Sequence, residues 1–212
     1  MSAKALPNFS VARLEPLILV QEISHRVVNE YTQAIATIRL AAARMTSVEG
    51  RDVLTTTASR LRSYAEAHRA LQAPVPHGCA DLGDYLRKLC SAVSVAHLRE
   101  RGVRLTLRAD AISLPADRCW RVALIVSELI TNSVRHGLRN GPGRILVELR
   151  EGDATNSCRV KDDGRPSSIA KPGRGITVVQ GLAVELGGYV AWACDDDGTS
   201  AELIFPSAAV EA

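Results

Sequence analysis

Four polar side chains gather in Ser127-Glu-Leu-Ile-Thr-Asn-Ser-Val-Arg-His-Gly137. On a helix, Glu128, Asn132, Arg135 and His136 fall at i, i+4, i+7 and i+8 and so share one face. Leu124, Ile125, Leu129 and Ile130 supply the opposite, buried side. A carboxylate, an amide oxygen, a cation and an imidazole on one face suit a phosphate and a hard metal ion. Downstream, Lys161-Asp-Asp-Gly164 follows a predicted strand. A carboxylate at a strand end can accept a hydrogen bond from an adenine amino group, and Gly164 removes the side chain that would block the base. Gly173-Arg-Gly-Ile176 opens a predicted helix, offering free N–H groups and the positive helix end to a phosphate. Far upstream, His25 lies mid-helix in Glu22-Ile-Ser-His-Arg-Val-Val-Asn29. A neutral imidazole can attack a phosphoryl group. Glu22, at i−3, is placed to orient or deprotonate the ring, and Arg26 to meet incoming negative charge. Each segment alone also fits a solvated helix face, a turn or a loop; their order and spacing together carry the argument.

These groups need elements to hold them. Residues 16–49 contain no internal Gly or Pro, and Pro16 and Gly50 suit a helix start and stop. Leu17, Gln21, Ser24, Val28, Tyr31, Ile35, Ile38, Ala42 and Met45 alternate spacings of four and three, a coiled-coil-like seam. A second helix over 51–72 carries Leu54, Ala58, Leu61, Ala65, His68 and Leu71 on its apolar face and ends before Pro74 and Pro76. His68, on that apolar face, reads as structural. A lone hairpin cannot cover both sides of its seam, so a homodimer forming a four-helix bundle is expected. Beyond residue 78 the pattern predicts helices over 81–99, 118–136 and 175–186, with strands over 104–108, 144–150, 157–161, 188–193 and 200–205. The fold class is α+β: a helical hairpin at 10–77 and an α/β sandwich with a mainly antiparallel sheet at 78–212.

Bulk composition narrows the partners. Of 212 residues, 46% are hydrophobic and 4% aromatic, so the core must be aliphatic. A net charge of +3, with no basic stripe interleaved with aromatics, argues against nucleic acid. Cys79, Cys90, Cys119, Cys158 and Cys194 are odd in number and contain no Cys-x-x-Cys pair, which argues against a zinc site or a disulfide framework. With no apolar run long enough for a membrane span and no secretory signal, the expected location is the cytoplasm.

The downstream half resembles the ATP-binding domain shared by histidine kinases, gyrase-type ATPases and related chaperones. Glu128, Asn132, Arg135 and His136 match its N box, which contacts Mg²⁺ and phosphates. Asp162 and Gly164 match its first glycine motif, with Asp162 at the adenine-reading position. Gly173 and Gly175 match its second, and Gly198-Thr199 before Leu203-Ile-Phe-Pro206 resembles its closing strand, with Thr199 on the adenine side. The chain departs from the pattern at Pro166, and the short stretch to Gly173 leaves a minimal lid. Upstream, Glu22 to Asn29 resembles the Glu-x-x-His-Arg-x-x-Asn box of HWE-like sensor kinases, and Leu61 to Leu71 resembles their second helix. The N box begins Val-Ser-Glu, so the likeness is to HWE-like relatives rather than the strict HWE type. The resemblance implies a protein-histidine kinase using ATP and Mg²⁺, with His25, Glu22 and Glu128 catalytic and Glu128 and Asn132 at the metal. It implies a response-regulator receiver domain as acceptor; no sensory segment is recognised in the sequence, so input is expected from a separate sensor protein, or the chain is a bare transmitter. Alternatives are a histidine phosphotransferase that relays phosphate without ATP, and an anti-sigma-type serine kinase or binding switch.

Overall fold

The structure, a computed structural model, describes residues 16–72, 78–164, 174–195 and 197–207. The uninterrupted 3–4 spacing builds helix α1, Pro16–Arg44, and helix α2, Val48–Ala70. The turn between them differs from expectation. Ser47 caps α2, its hydroxyl accepting from the Gly50 N–H at 3.2 Å. Gly50 therefore opens the second helix instead of ending the first: a capping hydroxyl outcompetes a nearby glycine as the boundary. The expected stripe faces the seam as far as Ala42, whereas Met45, past the end of α1, is exposed. Val28, Ala42, Ala58 and Ala65 are buried, and Tyr31, Ile35, Ile38, Leu54, Leu61 and His68 are half-buried. Leu40 and Val53 stay exposed on the hairpin. The side chains of Leu17, Gln21 and Ser24 lie outside the described residues.

The second half begins with β1, Cys79–Asp81, and α3, Leu82–Val93, capped by Asp81 at 2.7 Å from the Asp84 N–H. The single helix expected over 81–99 is three pieces. A π-helical turn, Ser94–Leu98, and a 3₁₀ turn, Arg99–Arg101, follow α3 and end at Gly102 with φ 69°. Then come β2, Val103–Ala109; β3, Ser113–Pro115; α4, Ala116–Asn132; β4, Gly143–Arg150; β5, Thr155–Asp162; α5, Arg174–Glu185; β6, Tyr189–Asp195; and β7, Gly198–Pro206. The five-stranded sheet runs β2-β4-β5-β7-β6, parallel only between β2 and β4. β1 and β3 form a separate antiparallel pair that the sequence did not suggest, because three-residue strands carry no period.

Alternation puts Ile145, Val147, Leu149, Cys158, Val160, Ala201, Leu203 and Phe205 on one sheet face, packed with Leu86, Leu89, Ile125, Leu129, Val179 and Leu182 of the helices. The core is aliphatic except for Phe205 and a few others, as composition required. On the other face, Glu148 is buried among guanidinium groups of Arg159, Arg108 and Arg150. The end of α2 is fastened to this domain by the Trp120 indole N–H on the Leu71 carbonyl, 2.7 Å, and the Tyr85 hydroxyl on the Gln72 carbonyl, 3.2 Å. Among the described residues no helix is long and apolar enough to cross a membrane.

Candidate functional site

Helix α4 buries Ile125, Leu129 and Ile130, which leaves Glu128 and Asn132 one turn apart and half-buried. Burial pushes the Glu128 carboxyl above the usual carboxylate range, against the opposing pull of Arg135. The amide nitrogen of Asn132 is buried without a hydrogen-bond partner. Such an orphan is costly unless a ligand supplies the acceptor. Regular helix ends at Asn132. A π-helical turn, Ser133–Gly137, replaces the expected continuation, so the i, i+7, i+8 geometry does not hold through Arg135 and His136. Both are exposed at the rim, and the wider turn carries Gly137 inward.

Strand β5 settles which of two adjacent carboxylates faces the site. Asn156, Cys158, Val160 and Asp162 point inward, and Asp162 is only 2% exposed. Asp163 points away and accepts from the Arg144 backbone N–H at 2.6 Å and its Nε at 2.8 Å. Three glycines wall Asp162. A Cβ on Gly137 would stand 2.3 Å from the Asp162 Oδ1, and one on Gly164 would stand 2.1 Å from the Gly137 carbonyl oxygen. A Cβ on Gly198 would stand 1.9 Å from the Asp162 carbonyl oxygen, at a φ of 130° that favours glycine. The Gly164 N–H donates to Asp162 Oδ1 at 3.1 Å. The carboxylate is thus a fixed acceptor at the floor of a cradle without side chains. Thr199, half-buried, follows Gly198 on β7 and pairs with Cys194.

Helix α5 closes another side. A Cβ on Gly175 would meet Glu128 Oε1 at 1.9 Å, so the amino end of α5 abuts that carboxylate. Gly173 lies outside the described residues, and so do the side chains of Glu22 and His25, whose backbone belongs to α1. The structure therefore sets Gly164 against Gly137 and Asp162, and Gly175 against Glu128, with Asn132 one turn along α4 and Arg135 and His136 exposed on the turn that follows. Gly137 and Gly198 are cradle walls that no motif assigns; a glycine straight after the polar run, and one inside Asp-Gly-Thr199, are their signals in the sequence. A groove of about 650 Å³ lies elsewhere, between α2 and α3, lined by Arg62, Glu66, Asp84, Arg87 and Lys88 among others. It lacks the fixed acceptor and the glycine walls.

The cradle suits a flat amino-bearing base, and Glu128 with the Asn132 amide oxygen are hard donors of the kind Mg²⁺ takes alongside phosphates and water. Two family models match: histidine kinase-like ATPase domain over residues 91–205 and histidine kinase over residues 22–97. The chain belongs to the histidine kinase family. Blue-light-activated histidine kinase 2 of Erythrobacter litoralis is 29% identical over 180 residues, 78% of this chain and 51% of that protein. The sensor histidine kinase PdtaS of Mycobacterium tuberculosis is 28% identical over 150 residues, 68% of this chain and 29% of that one. This histidine kinase family member thus spans about half the length of the first relative and under a third of the second. The histidine kinase domain of an Erythrobacter litoralis blue-light activated kinase shares its fold: TM-score 0.59, 21% identity, covering 84% of this chain and 95% of that one. A bacterial phosphotransferase shares it too: TM-score 0.60, 15% identity, covering 88% and 95%.

Proposed function

We propose that the chain binds Mg-ATP in the Asp162 cradle, phosphorylates its own His25 and passes the phosphoryl group to an aspartate of a response-regulator receiver domain. The observation that carries this is the buried Asp162 acceptor, walled by Gly137, Gly164 and Gly198, in the half of the chain with the histidine kinase-like ATPase match. Asp162 reads the adenine amino group, with Thr199 beside it. The amino end of α5 at Gly175, with Gly173 before it, and the rim cations Arg135 and His136 face the phosphates. Glu128 and Asn132 hold Mg²⁺, which when bound neutralises phosphate charge. His25 attacks through a ring nitrogen: an N–P bond forms as the bond from the γ-phosphorus to the bridging oxygen breaks, and ADP leaves with that electron pair. Glu22 orients the imidazole and takes its proton. Units 10–77 and 78–212 act as phosphoacceptor hairpin and ATP-binding domain, in a cytoplasmic homodimer.

The test is incubation of the full chain with γ-labelled ATP and Mg²⁺. Wild type should take up label that is lost in acid and kept in alkali, as phosphohistidine is. His25→Ala should bind nucleotide normally but take up none. Label retained in His25→Ala would reassign the acceptor, and no nucleotide binding by wild type at millimolar ATP would leave the phosphotransferase reading in its place.

A further inference from the structure

Four rings cross the joint between the hairpin and the sheet domain. Tyr31 of α1 lies against His68 of α2, centroids 5.6 Å apart, and 6.4 Å from Tyr64. Tyr64 in turn stacks on His97, 4.9 Å away with the planes 10° apart. His97 stands in the π-helical turn Ser94–Leu98, so the series starts on the helix that carries His25 and ends on the domain that holds Asp162. Tyr31 follows His25 by six residues, roughly 9 Å along α1 at the usual helical rise.

The surroundings make this joint separable. A groove lined by Arg62, Glu66, Asp84, Arg87 and Lys88, with Ala92 and Val95 among them, opens between α2 and α3. The nearby Arg60–Glu100 pair, at 2.7 Å, has both side chains more than half exposed, where water and salt screen it. The far end of α2 is held as well, through Leu71 and Gln72.

The ring neighbours of the imidazoles are tyrosines, and the charged group that acts on His97 is Arg101. α1 contributes Tyr31, α2 contributes Tyr64 and His68, and the 3₁₀ turn contributes Arg101; the Arg60–Glu100 pair joins the same two elements, α2 and that turn. Glu100 is taken up by Arg60. Burial, then His68, then Arg101 push the proton affinity of His97 down, and burial does the same for His68. A single imidazolium over a tyrosine face would gain a cation–π attraction. Two imidazolium ions beside Arg101 repel one another instead.

We propose that Tyr31, Tyr64, His68 and His97 form a releasable latch that positions the ATP-binding domain on the hairpin, closed while both imidazoles are neutral and opened when they take up protons. A chain that phosphorylates its own histidine must bring the nucleotide to the hairpin and then withdraw it for the acceptor, and that purpose rests on the proposed kinase function. The sign follows from linkage. The Tyr64 stack across the joint is part of what buries His97, so the closed form holds the His97 proton less readily. Its stability is complete above the ordinary histidine value of about 6.5 and is lost as pH falls below it.

The test measures an interdomain distance in the full chain without ATP, so failure of the kinase reading leaves it standing. With exposed Cys79 and Cys194 changed to serine, spin labels go on cysteines at exposed Thr37 of α1 and exposed Asp153 beyond β4; Cys90, Cys119 and Cys158 are buried. Labelled chain is diluted into unlabelled chain, and distance distributions are taken at pH about 8 and about 5.5, either side of the histidine value. Wild type should give one narrow peak at the higher pH and lose it at the lower. His97→Phe, which keeps the stack but cannot titrate, should keep the peak at both, and His97→Ala should lack it at both. An unchanged wild-type distribution overturns the latch whether or not the variants fold, and His97→Phe responding like wild type overturns the role of His97.

Discussion

Gly175→Ala should separate chemistry from folding. The new methyl would sit 1.9 Å from Glu128 Oε1 and 2.8 Å from its Cδ, whereas ordinary contact begins at 3.4 Å. The difference, 3.4 less 1.9, requires the carboxylate to withdraw by about 1.5 Å. The obstacle is the end of a side chain, so a rotamer change relieves it at roughly 0.5–1.5 kcal/mol. Alanine offsets this, being a better helix former than glycine by up to about 1 kcal/mol, less in a first turn. The melting temperature should therefore move by only a few degrees. Chemistry is less tolerant, since a displacement of about 1 Å in a reacting constellation costs on the order of 10²-fold. We expect incorporation of labelled phosphate into His25 to slow about a hundredfold at saturating Mg-ATP. Gly164→Ala is the contrast. There the obstacle is the Gly137 carbonyl oxygen at 2.1 Å and its carbon at 2.3 Å, both backbone. Overpacking against backbone should cost about 1–3 kcal/mol and lower the melting temperature as well. Labelling assays and thermal melts on both variants decide the matter. A Gly175→Ala protein that labels at the wild-type rate would refute the placement of Glu128 at the reacting phosphate.

Asp162→Ala should weaken nucleotide binding in calorimetry by roughly 10–100-fold, the loss of a hydrogen bond to a charged group of about 1.5–3 kcal/mol. Asn132→Ala should keep most binding when Mg²⁺ is absent and lose labelling when it is present; equal losses in both conditions would count against a metal role. On the outer sheet face, the Arg159 hydrogen bond, helped by Arg150 and Arg108, holds the Glu148 carboxyl below the usual range against the effect of burial. That stability is present above the ordinary glutamate value and lost as pH falls through the lowered one, and Glu148→Gln should remove about 1 kcal/mol at neutral pH and flatten the acid dependence of the melt. Sedimentation of the full chain at micromolar concentration should show a dimer, with Leu40→Asp or Val53→Asp, on the exposed hairpin surface, shifting it to monomer; a monomeric wild type would mean the stripe needs no second copy.

Local periodicity determined much of this protein. The 3–4 spacing from Val28 to Ala42 and from Leu54 to His68 specifies two helices and the faces they turn to each other, because 3.6 residues per turn is a property of the backbone. Alternation from Asn156 to Asp162 likewise places Asp162 with Cys158 and Val160 on the inner face and Asp163 outside. Residue types then named the candidate carboxylates and amide before any contact was known. The tertiary structure decided what those residues meet. Gly137 closes on Asp162, Gly198 on the Asp162 carbonyl and Gly175 on Glu128, across separations of 25 to 47 residues set by strand register and helix packing. The π-helical turn at Ser133–Gly137 is part of the same outcome: it moves Gly137 in against Asp162, and no spacing rule for a regular helix contains it. The ring series from Tyr31 to His97 is legible only after folding too, since its members lie on three elements and its Tyr64–His97 contact forms only where the two halves meet. Periodicity fixes the direction of a side chain relative to its own element, whereas contact between elements depends on the packing of the whole core.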